Sequence, residues 1–83
     1  MQILFADGVS FQGSPIDIVS QMRDTMFTRS DLPTMPLGDF IDWLRGELKT
    51  SLGVLLDVPP GNDKYRCVVL LRRLLDAEVI KED

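Results

Sequence analysis

The sequence predicts an α+β fold: a β-hairpin followed by three helices. Two observations carry this. Two short, partly alternating apolar runs flank Asp7-Gly8, and three later segments repeat apolar residues at helical spacing between residues that start or stop a helix. The chain has 83 residues, 45% hydrophobic and 27% charged. It therefore sits near the small end of chains that fold on one core, and we expect one domain over residues 1–83.

Gln2–Ala6 and Val9–Gln12 read as the two strands. Asp tolerates positive φ and Gly accepts it freely, so Asp7-Gly8 predicts a type I′ turn. Val9 and Phe11 share a face and are expected in the core, with Ser10 and Gln12 facing the other way. Gly13 ends the strand, Ser14 suits a helix N-cap, Pro15 suits the first helical position, and Asp17 favours the positive end of the helix dipole. The first helix is expected from Pro15 to about Met26, burying Ile18, Val19, Met22 and Met26.

Residues 28–35 carry turn formers and read as a loop. A second helix is predicted from about Pro36 to Leu52, with Leu37, Phe40, Ile41, Leu44 and Leu48 inward and Gly53 as a left-handed C-cap. Val54–Val58 is either a third strand against the hairpin or a buried connector. Pro59-Pro60-Gly61-Asn62 is a turn, and Asp63 is the expected cap of a last helix from Lys64 to about Val79. Cys67, Val68, Leu71, Leu74 and Leu75, widened by Leu70 and Ala77, give that helix the broadest apolar arc. Such width fits a central packing element and also leaves room for a homodimer through this C-terminal helix.

Composition narrows the chemistry. There is no histidine, and Cys67 is the lone cysteine, so the usual neutral-pH base, the Ser–His–Asp and Cys–His arrangements and an internal disulfide are all missing. We expect no catalytic residues, no cofactor and no metal ligands. No apolar run approaches the length of a membrane span, and no basic segment followed by a long hydrophobic one marks secretion, so the expected location is cytoplasmic, without membrane contact.

Gly8-Val9-Ser10-Phe11-Gln12-Gly13-Ser14-Pro15 imitates a phosphate-binding loop placed between strand and helix. It fails in chemistry, because Ser14 stands where lysine should reach the phosphates and Pro15 where a hydroxyl should meet Mg²⁺. Asp39 and Asp42 lie one turn apart and read as a solvated helix face rather than an acid/base pair. Asp57, Asn62 and Asp63 match no calcium-loop spacing. On the last helix Arg66, Val69 and Arg73 read as a face opposite the core arc, with Arg72 spaced to pair with Asp76.

Trp43 lies about 120° from the centre of its helix's apolar stripe, among Asp39, Gly46, Glu47 and Thr50. Gly46 within a helix costs about 1 kcal/mol relative to Ala and leaves a bare patch beside the indole. Either this chain or a partner covers that patch. The net charge of −4 is concentrated in residues 1–43, which hold six acids and two bases, against seven of each in residues 44–83.

These features point to an acidic, non-enzymatic protein–protein interaction module, meaning a regulator, adaptor or inhibitor of a larger protein. One version occupies a basic groove of its target, and the expected partner-binding residues are Asp39, Asp42, Trp43, Gly46 and Glu47. The second reading is a winged-helix-type nucleic-acid-binding regulator using the last helix, which the acidic balance opposes.

Overall fold

Alternation in the first strand builds one face of a sheet in the computed structural model, which describes residues 1–5, 8–26 and 34–82. The order is β1 (Gln2–Phe5), β2 (Ser10–Gln12), α1 (Pro15–Gln21), α2 (Leu37–Leu52), α3 (Asp63–Asp76) and β3 (Ile80–Glu82). This is an α+β architecture. The sheet is antiparallel in the order β2-β1-β3, with Ile3 opposite Phe11 on one side and Phe5 opposite Ile80 on the other. Ile3, Phe5, Phe11 and Ile80 are buried, and the rings of Phe5 and Phe11 meet edge to face at 5.8 Å. Leu4, between Ser10 and Lys81, lies on the exposed face.

The hairpin forms where expected, with a different turn. Phe5 N–H donates to Val9 O at 2.8 Å and Gly8 N–H to Phe5 O at 3.0 Å, with Gly8 at φ +92°. The connection is thus one residue longer than a type I′ loop, and glycine supplies the positive φ at its end. Asp7 lies outside the described residues. Val9 does not enter the core: it sits beyond the last ladder pair, Leu4 with Ser10, and is 41% exposed.

The start of α1 is built from four consecutive residues and one carboxylate. Ser14 Oγ accepts from Asp17 N–H at 3.2 Å, and Asp17 Oδ2 accepts from Ser14 N–H at 3.1 Å, with Pro15 in the first turn. This reciprocal capping box satisfies two of the backbone donors that a helix start leaves open. Ile18, Val19 and Met22 are buried. The helix stops at Gln21 and continues as a π-helical turn, Met22–Met26, where Thr25 Oγ1 donates to Gln21 O at 2.6 Å. The side chain of Met26 and residues 28–33 of the expected loop lie outside the described residues.

α2 matches its apolar spacing. Phe40, Ile41 and Leu44 are buried, Leu37 and Leu48 partly so, and Gly53 caps the end at φ +67°. α3 starts one residue earlier than expected, because Asn62 Oδ1 accepts from Tyr65 N–H at 2.8 Å and leaves Asp63 as the first helical residue. It buries Cys67, Leu70, Leu71 and Leu74 and touches α1, α2 and β3, so it is the central packing element. The arc is narrower than its sequence suggests: Val68 is 38% exposed and Ala77 is also exposed.

The third strand is β3, not residues 54–58. Those residues form a connector in which Leu56 and Val58 are buried and Leu55 is 76% exposed. The strand-like alternation there reflects one-sided burial, while the carbonyls of Leu56 and Asp57 accept from Arg45 and Arg73 rather than from a neighbouring strand. The chain reaches β3 because α3 ends at Asp76, three residues before the expected Val79. Glu78 takes φ +60°, and N–H groups of Glu78 and Val79 donate to the carbonyls of Leu75 and Leu74, both at 3.0 Å. This pair of bonds forms a Schellman stop without glycine.

The left-handed conformation penalises any side chain with a Cβ by about 1–2 kcal/mol. We therefore expect Glu78→Gly to raise unfolding stability by about 1 kcal/mol and Gly53→Ala to lower it by a similar amount. Urea denaturation of the two variants checks this; a loss of stability in Glu78→Gly would contradict it.

Candidate functional site

The five residues expected to meet a partner all lie on α2, but they do different work. Asp42 Oδ1 accepts from Arg66 Nη2 at 2.7 Å and lies 3.6 Å from Arg45 Nη1. Arg66 itself crosses from α3, keeps only 12% of its side chain exposed, and also donates to Gly38 O at 3.4 Å. Asp42 is thus a tie between the two helices. Trp43 is partly buried against the core, stacked on Phe40 with ring centroids 6.0 Å apart. Asp39 is exposed, and a Cβ added at Gly46 would meet nothing within 4 Å. The bare patch beside the indole is therefore real at Gly46, while the indole itself packs on its own domain.

Glu47 stands apart from the other four. It borders an apolar groove of about 310 Å³ between α2 and the end of α3, lined by Phe5, Met22, Leu44, Leu48, Leu52, Leu74 and Val79 together with Ser51. Leu52 at its rim is 61% exposed. Glu47 is exposed and has no ion-pair partner among the described residues. The groove escaped sequence reasoning because its residues come from β1, the π-helical turn, α2, α3 and the turn after it. Leu52, the last residue of α2 before its glycine cap, was the one local signal.

The face of α3 read as opposite the core arc is only partly open, with Arg73 exposed. Arg66 is nearly buried, Val69 packs against the core, and Arg73 donates to Asp57 O at 3.3 Å and pairs with Asp76 at 3.8 Å. Asp76 pairs with Arg73, one turn away at i, i+3, and not with Arg72. Arg45 and Arg23 repeat the pattern, donating to Leu56 O and Met35 O, each at 2.9 Å. Four described arginines thus bind backbone carbonyls of other segments.

At the imitation phosphate loop, Ser14 and Asp17 occupy each other's hydrogen-bonding groups, and the Asp17 carboxylate stands where a phosphate would have to approach. No group of His, Cys, Asp or Glu side chains among the described residues could hold a metal ion. Burial pushes the Cys67 thiol up to about 11, with the Asp63 carboxylate adding to the shift and the Arg66 guanidinium opposing it. No helix of the described residues is long and apolar enough to cross a membrane. No family model matches the sequence, and comparisons with curated proteins and with solved structures return no significant match.

Two predictions follow from these contacts. Removing Asp42 leaves the nearly buried Arg66 guanidinium without its carboxylate, and its Nε is already buried without a hydrogen-bond partner among the described residues. Asp42→Ala should cost about 1–3 kcal/mol and Asp39→Ala less than about 0.5 kcal/mol; equal unfolding midpoints for the two variants would refute the difference. Cys67 has its folded pKa raised from 9.0 to about 11. Its stability contribution is therefore full below pH 9 and is lost as pH rises toward about 11. The stability difference between the native chain and Cys67→Ala should shrink over that window, as measured by denaturant titration at stepped pH.

Proposed function

We propose that this chain acts in the cytoplasm as a non-enzymatic interaction module that regulates a larger protein, taking a basic, amphipathic segment of that protein into the α2–α3 groove. The observation that carries the reading is the juxtaposition of the apolar groove with the exposed Leu52 and with Glu47, which has no ion-pair partner among the described residues. An apolar anchor entering the groove would supply most of the binding energy, and a lysine or arginine beside it would answer Glu47.

The distribution of charge supports the same partner chemistry. The net charge is −4, and the arginines at positions 23, 45, 66 and 73 each donate to a backbone carbonyl of the chain itself. Exposed acids such as Asp39, Glu47 and Glu82 lack described ion-pair partners. A surface of this kind speeds encounter with a basic patch and repels nucleic acid. Within this reading Glu47 is the polar approach to the groove, and Asp39 and Gly46 lie outside its lining. Asp42 and Trp43 act indirectly, by holding α2 in place.

The test compares Leu52→Asp with Leu55→Asp. Both leucines are exposed, but only Leu52 borders the groove. Cross-linking the full chain to its partner in native cells, followed by mass spectrometry of the linked peptides, should yield a Lys- or Arg-bearing segment. We expect its recovery to fall about tenfold or more with Leu52→Asp and to persist with Leu55→Asp. Equal recovery with both variants removes the groove from the contact, and an acidic linked segment overturns the charge assignment.

A further inference from the structure

The segment after α3 is held more loosely than the elements it lies against. Of Val79-Ile80-Lys81-Glu82 only Ile80 is buried, Val79 is partly so, and Lys81 and Glu82 are exposed. β3 is an edge strand, so it has a ladder on one side only. Phe5 turns its N–H and C=O to the β2 side, where they bond to Val9 and Gly8. Backbone groups alternate along an antiparallel strand, so Leu4 is the residue that bonds to Lys81 across β3. The entry to this segment is strained as well. Glu78 holds φ +60°, a conformation that a residue with a Cβ keeps only while its surroundings impose it, here through the bonds from Glu78 and Val79 N–H to Leu75 and Leu74 O.

The same segment forms part of the groove. Val79 lines it beside Phe5 and Leu74, and Val79 and Phe5 also border a neighbouring hollow with Leu4, Gly8, Glu78 and Lys81. We infer that residues 79–82 are a strap that opens about Glu78 while the hairpin and helices stay folded, and that its release joins the groove and this hollow into one trough. Opening lets Glu78 relax to negative φ, uncovers Phe5 as Ile80 leaves, and withdraws Val79 from the groove wall. Strain at the hinge favours the open strap and burial of Ile80 the closed one, so a change at either residue shifts the balance. The strap is a property of the fold and stands whether or not the groove takes the segment proposed above. Where it does, opening lengthens the space which that segment can fill.

Amide hydrogen exchange of the full chain, followed residue by residue by NMR under conditions where rates report opening equilibria, tests the strap without any partner. We expect Leu4, Val79 and Lys81 to be at least about tenfold less protected than Leu70 and Leu71 of α3 and than Ile3, whose N–H faces β2. Glu78→Gly should raise protection of the three strap amides about fivefold. Gly53→Ala, at the far end of α2, should lower protection of Leu70 and Leu71 by about the same factor and leave the strap amides unchanged. Equal protection of strap and α3 amides overturns the proposal, because the strap then opens only when the whole domain unfolds. So does a fall in the strap amides in Gly53→Ala, a Glu78→Gly variant that leaves them as they were, or a Val79 amide that keeps the protection of Leu71 while Lys81 loses it.

Discussion

The fold depends on guanidinium groups that reach from helices to backbone carbonyls of other segments, three of the four outside any helix or strand. The connector after α2 turns Leu56 and Val58 into the core and Leu55 and Asp57 outward, and its carbonyls lie outside any helix or strand. Arg45 from α2 and Arg73 from α3 donate to the carbonyls of Leu56 and Asp57. Arg66 ties the first turn of α2 to α3, and Arg23 holds the approach to α2 at Met35. Planar groups with several donors can bond a carbonyl and a carboxylate at once, as Arg66 does with Gly38 and Asp42. The same arrangement shapes the outside: Arg66 and Arg23 keep 12% and 19% of their side chains exposed, so two positive charges are partly withdrawn from the surface.

Local chemistry was legible in the sequence and distant geometry was not. Ser14, Pro15 and Asp17 form their capping box within four residues, and Gly53 ends α2 by its own conformational freedom, so both could be read along the chain. The stop at Glu78 could not, because a Schellman pair without glycine has no compositional mark and the apolar period of α3 continues to Val79. β3 was hidden for a different reason. Its Ile80-Lys81-Glu82 carries one buried residue, and its partner strand is at the other end of the chain. At the candidate site, Asp39 and Asp42 look alike in sequence, one helical turn apart. Only the approach of Arg66 from α3 separates a solvated carboxylate from a structural one.

α3 divides the molecule into two outward-facing neighbourhoods. Leu74 contributes to the groove with Phe5 and Leu48, whereas its neighbour Leu75 borders a hollow on the outer side of the helix with Val68 and Arg72. One residue of rotation on a helix is about 100°, enough to turn adjacent leucines toward different surfaces. The breadth of the apolar arc on this helix is thus the sum of a buried centre, Cys67, Leu70, Leu71 and Leu74, and flanks that remain open to other contacts.

The position of β1 between β2 and β3 sets an order of events in folding. β1 can pair with β2 as soon as the hairpin exists, because the two are joined by a short loop. Its other edge waits for residues 80–82, so closing the sheet must draw together nearly the full length of the chain. Hairpin and helices can therefore gather first, and the cover that Ile80 gives Phe5 is among the contacts with the longest loop to close.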